Sequence, residues 1–428
     1  MPGLFESIKN IFINTRATNI NDIKAQPKTT GGSFFATGAT KAGAFINETS
    51  ALSNSTVFSC ARVLCEAVSI LPAALYRREG KIKIEADAHP VNWILAHEPN
   101  PETTPSTYKK TSMLHRTFWG NAYSWIRRDG ANRPRELYPL LPENTIVYRD
   151  TDIQSKTYKQ LKYMTTIENR NIILDAADIL HIPGLSFDGL VGKSVIGLHR
   201  ETIGLAVSAQ EYGARFFGQG ASPKGVISLT EDLQPAQADQ YRAHFNSLYS
   251  GLENAHNVAV ISGGAKFDKI TIPNNDAQFL ETRNFQKTEI CGIFGVPPIM
   301  IQDSGQTSAW GTGIETIMTA FVRNTLLPYL VAWEEAINQK LLTEKERLNY
   351  FVKFNIDGLL RGDFKSRMEG YQIGRNTGIF SINEIRDMED RPPVEGGNNY
   401  LIPLNNTTIG PDKIEIPKST KTTTEVVQ

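Results

Sequence analysis

Cysteine is scarce in this chain: 3 residues in 428, at Cys60, Cys65 and Cys291. Three thiols build no disulfide framework, and their spacing matches no zinc site. Each sits in a helical apolar pattern, so buried free thiols and a reducing compartment are expected. Net charge is missing too, because 45 Lys and Arg balance 45 Asp and Glu. A protein that grips nucleic acid tightly neutralises phosphates with a basic surplus. The balance here suits a surface past which a polyanion slides without being trapped. No apolar run approaches the length of a membrane span. The N-terminus lacks the basic-then-apolar design of a secretory signal. Neither membrane insertion nor export is expected, and the Asn-x-Ser/Thr sites at Asn47, Asn54 and Asn405 then carry no meaning.

Signatures of catalysis are also absent. The 7 histidines form no HExxH or other paired metal spacing. Gly192-Lys193-Ser194 opens a helix and mimics the end of a phosphate-binding loop. That motif needs a glycine five residues before Gly192, where this chain has Phe187. Without it the backbone does not fold tightly round phosphates. Glu334-Glu335 and Glu389-Asp390 are adjacent on helices, so they point apart and read as solvated faces. A packaging ATPase or nuclease needs a complete loop and convergent carboxylates. No enzyme activity, cofactor or metal is expected. A monomeric nucleic-acid binder fails on charge and on the lack of a basic stripe.

What is present is a chain of ordinary globular composition, 40% hydrophobic and 21% charged, long enough for two or three domains. The stretch Asp276 to Pro298, DAQFLETRNFQKTEICGIFGVPP, organises it. Asn275 or Asp276 is an N-cap. Phe279, Leu280, Phe285, Ile290 and Phe294 recur at helical steps. Gly295 and Pro297-Pro298 stop the helix. About nineteen residues span roughly 28 Å. A second long pattern, Ser194 to Gln219, precedes it, with Ile203, Val207, Ala214 and Phe217 on one side. Between the two lies an insert, Ser222 to Ile272: strand Gly225 to Leu229, helix Pro235 to Leu248, strands Val258 to Ser262 and Lys266 to Ile272. Gly263-Gly264 is its hairpin turn. Two long rods bearing a small tip is the arrangement these spacings predict.

Upstream, Leu4, Ile8, Ile11 and Phe12 stripe a short helix that docks on protein, Lys9 being too little cationic support for a membrane surface. Thr15 to Thr49 reads as a mobile arm. Ser53 or Asn54 caps a helix striped by Val57, Ala61, Leu64, Val68 and Leu71, ended by Pro72. A hairpin follows from Ala74 through Glu79-Gly80 to Ile84. His89-Pro90, Pro99-Asn100-Pro101, a helix from Pro105 to Trp119, and a strand from Gly120 to Arg128 come next. Asp129-Gly130 turns it into a strand ending at Pro142. Further strands are expected at Ile146 to Tyr148, Tyr158, Ile172 to Leu174 and Ile179 to Ile182. Downstream, a helix from Gly313 to Leu342 carries Ile317, Phe321, Leu330, Trp333, Ile337 and Leu341, with Pro328 kinking it. Tyr350 to Ile356 is a strand. Helices follow at Asp363 to Thr377 and Ser381 to Asp390, the latter with an S-x-x-E capping box.

Several of these strings resemble, in order, the portal proteins of tailed double-stranded DNA bacteriophages of the long-tailed siphophage-like type. They are the Asp276–Pro298 stretch, the His-Pro helix, the Pro-Asn-Pro loop, Gly120-Asn121-Ala122-Tyr123, Arg128-Asp129-Gly130, Leu137-Tyr138-Pro139-Leu140 and SINEIRDMEDRPPVEGGNNYLIP. The likeness covers roughly residues 50 to 403. It departs at Cys291-Gly292, where the family often has Ala-Arg, at Gln302 in place of a glycine, and at Asn398 in place of Asp. The resemblance implies an α+β portal fold with an α/β wing, two long stem helices, a small clip inserted between them and a helical crown. It implies these limits: N-terminal helix and arm 1–50, wing 51–193, first stem helix 194–221, clip 222–273 and second stem helix 274–298. They continue with a tunnel loop 299–313, a long kinked wing helix and strand 314–361, crown 362–403 and disordered tail 404–428.

By the same resemblance the chain is a structural ring, a dodecamer in the virion, at one capsid vertex. It channels double-stranded DNA during packaging and ejection. It meets the large terminase subunit, a head-completion or adaptor protein, and the major capsid protein or scaffold, and it assembles in the host cytoplasm. In the tunnel loop, Asp303, Ser304, Gln306, Thr307, Ser308 and Trp310 are the implied DNA-channel residues. Lys and Arg are absent there, so strong phosphate capture is not expected. On the stem, Arg200, Glu211, Arg215, Glu281, Arg283 and Lys287 line either the channel or a subunit interface.

Overall fold

Asn54 opens the first long helix. The computed structural model describes residues 39–80, 82–167, 170–218, 225–228, 266–269, 275–303, 312–356, 364–389 and 391–401, with a few isolated positions. The Asn54 side-chain oxygen accepts the backbone N–H groups of Thr56 at 3.0 Å and Val57 at 3.2 Å. Two donors that a helix start leaves orphaned are thereby satisfied, and α1 runs Ser55–Ser69. Its stripe Val57, Ala61, Leu64 and Val68, with Leu71 beyond its end, is buried throughout. Pro72 turns the chain into a hairpin, β1 (Ala73–Glu79) and β2 (Ile82–Glu85). β2 is an edge strand, and the alternation that marks it leaves both Ile82 and Ile84 exposed.

The His89 side chain caps α2 (Pro90–Ala96) by accepting the Val91 N–H at 3.2 Å. Thr104 caps α3 (Pro105–Trp119), which starts on a proline and ends at Gly120 with φ 77°. Proline at the first helical position and glycine past the last follow the ordinary asymmetry of helix ends. β3 (Asn121–Arg128) then lies between β4 (Pro134–Leu140) and β8 (Ile179–Pro183), antiparallel to both. A second antiparallel sheet has the order β5 (Thr145–Arg149), β6 (Leu161–Ile167), β7 (Arg170–Asp175). Its central strand is one the sequence reading did not name, while Tyr158 sits in a turn instead of a strand. That turn closes on Asp150, whose carboxylate accepts from the Ser155 and Thr157 hydroxyls. Lys162, Thr165 and Thr166 dilute the apolar alternation of β6, which hid it. Tyr123, Trp125, Tyr138, Val147, Tyr163, Leu174 and Ile179 bury themselves between the two sheets.

The expected helix Ser194 to Gln219 is two pieces, α4 (Val195–Leu198) and α5 (Arg200–Gly218), broken at His199. α5 packs on α6 (Asn275–Phe294). Between them in sequence, β9 (Gly225–Ser228) and β10 (Lys266–Lys269) pair antiparallel, Gly225 opposite Lys269. This closes the base of the insert. Of the helix expected at 235–248 only positions 236, 239, 240 and 243 are described, each helical. The strand at 258–262 and the Gly263-Gly264 turn lie outside the described residues, as do the N-terminal helix, most of the 15–49 arm and the 405–428 tail.

After Thr312 the long helix is continuous through Pro328, because the proline is prepared for. α7 (Thr312–Phe321) passes into a π turn, Val322–Leu326, and then α8 (Leu327–Leu341). The Leu327 N–H bonds the Val322 carbonyl, five residues back. The wider turn accommodates the missing proline N–H and its ring, which an unbroken α-helix does not. Phe321, Leu330, Trp333, Ile337 and Leu341 are buried as the stripe requires. β11 (Tyr350–Phe354) pairs antiparallel with β1, Leu75 opposite Val352.

Residues 357–428 form a separate compact unit. Its described helices are α9 (Phe364–Asn376) and α10 (Ile382–Met388). The capping box is complete: the Ser381 hydroxyl accepts the Glu384 N–H at 3.2 Å, and the Glu384 carboxylate accepts the Ser381 N–H at 2.7 Å.

Candidate functional site

Three glycines meet where the sheet feeds the long helices. Gly120 ends α3, Gly184 follows β8, and Gly192 precedes α4. A Cβ built on Gly192 stands 1.9 Å from the Gly120 carbonyl oxygen and 2.7 Å from the Gly184 nitrogen. The backbones therefore approach to a distance only glycine permits. Asn121 locks the crossing. Its side-chain oxygen accepts the Gly192 N–H at 2.7 Å, and its amide donates to the Gly192 carbonyl at 2.8 Å. The same oxygen lies 3.0 Å from His181 Nε2, and His181 Nδ1 lies 3.1 Å from the Tyr163 hydroxyl. Burial, aided by the Lys340 charge, pushes the His181 pKa down to about 3. The imidazole is thus neutral, donating from Nε2 to Asn121 and accepting at Nδ1 from Tyr163.

This knot consumes the groups a nucleotide would need. The Gly192 N–H is held by Asn121. The Ser194 hydroxyl donates to the Phe118 carbonyl at 2.6 Å and accepts the Gly197 N–H at 2.9 Å. Lys193 Nζ sits 5.7 Å from the centre of the Phe187 ring, the side chain standing where the phosphate-loop glycine is required. The segment is a tight turn between sheet and helix. One member of each carboxylate pair is likewise engaged. Glu334 accepts the Phe354 N–H at 2.9 Å, and Glu389 pairs with Arg367 at 2.7 Å.

The stem charges distribute unevenly. Arg200 pairs with Glu201 at 3.7 Å, and Glu211 with Arg215 at 3.4 Å across one exposed helical turn. Glu281 and Arg283 are exposed. Lys287 is half-buried and reaches Asp303 at 2.9 Å, tying α6 to the root of the following loop. Ser304, Gln306, Thr307, Ser308 and Trp310 lie outside the described residues.

Two apolar assignments need correction. Ile203 is buried as expected, but Ala214, expected beside it on the inner side of α5, is exposed, and Gly204, Ala206 and Gly213 are buried there instead. The side chains of Phe217, Phe279 and Leu280 lie outside the description. Phe285, counted in the α6 stripe, is 69% exposed, whereas Ile290 and Phe294 are buried. At about 100° per residue, Phe285 lies roughly 140° round the helix from Ile290 and cannot share its face. Leu205 and Tyr212, seven residues apart on α5, are also about half exposed or more, at 49% and 58%. The two long helices therefore present apolar side chains outward. Inward, Cys60 of α1 meets Cys291 of α6 with sulfurs 3.8 Å apart, and all three cysteines are free and buried.

Sequence reasoning missed Asn121 and His181 as a pair. The Gly-Asn dipeptide after a helix was visible, but a partner 60 positions away was not.

An antiparallel α+β body with two long helices bracketing an insert whose base is strand-paired defines the fold class. The profile described as "Phage portal protein" matches residues 55–390. A probable portal protein of Streptomyces phage phiC31 is 35% identical over 373 residues, covering 84% of this chain and 80% of its own. Among solved structures, an HK97-family phage portal protein from Corynebacterium diphtheriae superposes with a TM-score of 0.53 at 16% identity. It covers 73% of this chain and 96% of that one. A chain from the neck of a native gene transfer agent particle, computed with C12 symmetry, gives 0.54 at 20% identity, covering 81% and 94%. The chain belongs to the phage portal protein family and has the α+β portal fold.

Proposed function

We propose that this chain assembles head-to-tail into a closed ring at one vertex of a capsid, twelve copies in the virion, and that double-stranded DNA passes through its centre during packaging and ejection. The observation that carries the reading is the outward apolar set on the paired long helices, Leu205, Tyr212 and Phe285. A heterologous interface that closes on itself buries such a set on every copy. The C12 symmetry of the gene transfer agent neck supports the same stoichiometry. In this reading residues 51–193 are the wing, α5 and α6 the stem, the insert the clip, 299–313 the tunnel loop and 362–403 the crown. Asp303, Ser304, Gln306, Thr307, Ser308 and Trp310 approach DNA. Arg200, Glu211, Arg215, Glu281, Arg283 and Lys287 line the channel or the seam between copies. The clip meets the large terminase subunit and a head-completion protein, and the ring meets the major capsid protein or scaffold. Assembly takes place in the host cytoplasm.

The ring catalyses no reaction. Its test is sizing by light scattering with end-on negative-stain imaging of the purified chain. Rings with a central hole are expected, and monomer at every concentration refutes the reading. Deleting Ser304 to Trp310 is expected to spare ring assembly and impair packaging or retention of DNA. ATP hydrolysis that disappears in Lys193→Ala would reverse the non-enzymatic assignment.

A further inference from the structure

β2 ends its sheet, and no described strand pairs with its outer edge. Its neighbour β1 decides which of its backbone groups face outward. The Arg78 N–H bonds the Asn349 carbonyl on the β11 side, whereas the Ala86 N–H bonds the Leu75 carbonyl on the β2 side. Backbone polar groups alternate in direction along a strand, so Leu75, Arg77 and Glu79 turn theirs toward β2. Ile84 and Ile82, opposite Arg77 and Glu79, are thereby engaged. The N–H and C=O groups of Lys83 and Glu85 point the other way, to the open edge. Ile82 and Ile84 are themselves 67% and 41% exposed. An edge with unpaired backbone groups and two uncovered isoleucines is a template for one more strand.

The chain carries a segment that fits this edge. Lys413, Ile414, Glu415 and Ile416, outside the described residues, alternate charged with β-branched side chains between Pro411 and Pro417. Laid antiparallel on β2, Ile416 falls opposite Ile82, Glu415 opposite Lys83, Ile414 opposite Ile84 and Lys413 opposite Glu85. Isoleucine meets isoleucine at two positions, and opposite charges meet at the other two. A slip of one residue sets charges against isoleucines and turns the added side chains to the wrong face. Glu415 and Lys413 exchange backbone hydrogen bonds with Lys83 and Glu85, the residues whose groups are open. Pro417 holds Ile416 in extended backbone. Both prolines fall at the next hydrogen-bonding positions, where the missing N–H limits the added strand to these four residues.

We propose that segment 413–416 of a neighbouring copy adds to β2 as a fourth strand of the β11-β1-β2 sheet. The proposal rests on the ring reading. Each copy offers one edge and one segment, so handing the segment to the next copy repeats a single heterologous contact round a closed ring. The β2 strand of a second copy is the rival occupant. Paired antiparallel about Ile84 it also sets Lys83 opposite Glu85, but it places Ile82 against Ala86. Such a two-fold contact uses up both edges and stops at a dimer.

The test co-expresses full-length Ile84→Cys with full-length Ile414→Cys and treats the product with diamide, which takes two electrons and two protons from a thiol pair. Directly opposed residues at a non-hydrogen-bonded position have Cα atoms about 4.5 Å apart, within disulfide reach. A disulfide joining the two differently substituted chains is expected. It should form at least ~tenfold faster than with Lys83→Cys in place of Ile84→Cys, because that side chain leaves by the other face. Glu415→Pro, which deletes a ladder N–H, is expected to slow the cross-link by ~tenfold. Glu85→Lys should slow it by ~twofold, and Lys413→Glu added to it should restore the rate. Wild type is expected to give no cross-link, since Cys60, Cys65 and Cys291 are buried. Equally fast coupling of the Ile84→Cys chain to itself assigns the edge to two-fold pairing and overturns the proposal. A chain carrying both cysteines that closes only on itself overturns it too. No cross-link in a preparation that negative stain shows as rings refutes the added strand and leaves the ring standing. Monomers alone by light scattering remove both.

Discussion

Gly192 has no room for a side chain, and the reason is geometric. Its missing Cβ would stand 1.9 Å from the Gly120 carbonyl oxygen, far inside the contact distance of a carbon and an oxygen. Gly192→Ala must push two backbones apart and break the Asn121 clamp. We expect a loss of about 3 kcal/mol, read from the denaturant midpoint. His181 makes the same region sensitive to acid. Its pKa in the folded chain is about 3 against an ordinary value of 6.5, and burial lowers His115 to about 4. Between these values and 6.5 the unfolded chain binds protons that the folded chain does not. Stability from these groups is full above pH 6.5 and is lost as pH falls toward 3 to 4. Unfolding midpoints measured across that window are expected to decline. The slope should flatten in the double variant His115→Gln/His181→Gln. At this scale the Gly-Asn dipeptide was legible as the start of a strand, but its function as a clamp was not, because Gly184, Gly192 and His181 converge only after the sheet forms.

At the scale of elements, caps and stops were the most readable features. Thr104, Pro105 and Gly120 delimit α3, and Ser381 with Glu384 opens α10, as local hydrogen bonding requires. Asn54 starts α1 by capturing two amides, so Asn54→Ala is expected to lower stability by about 1 kcal/mol in thermal or chemical unfolding. Replacement by Asp should retain most of that stability. Pro328 was legible as a disturbance but not as its solution. A π turn is set by tertiary fit along the buried face of α7 and α8, and no local residue signals it. The break at His199 escaped for a related reason. Apolar spacing runs through it, and only the backbone of His199, at φ −109° and ψ 22°, shows where α4 ends.

For the whole molecule, the exposed apolar set on α5 and α6 is the feature that calls for a partner. Phe285→Asp is expected to leave the unfolding midpoint of the isolated chain nearly unchanged, since the ring already faces water. In the proposed ring the same carboxylate would sit against a neighbour's helix. Light scattering should then show smaller species than wild type at equal concentration. A variant that still forms full rings removes Phe285 from the interface. Leu205→Asp and Tyr212→Asp extend the test to the partner helix.

Apart from β6 and the turn at Tyr158, helix and strand identity, the end signals, the free thiols and the family were readable from residue order, because periodicity, caps and turn chemistry act over a few positions. Which face of α5 or α6 turns inward, how a proline passes through a helix, and which distant side chains meet at Gly192 were settled by packing. These depend on contacts between residues tens to hundreds of positions apart. A run of apolar residues states that something will be covered, but not by what.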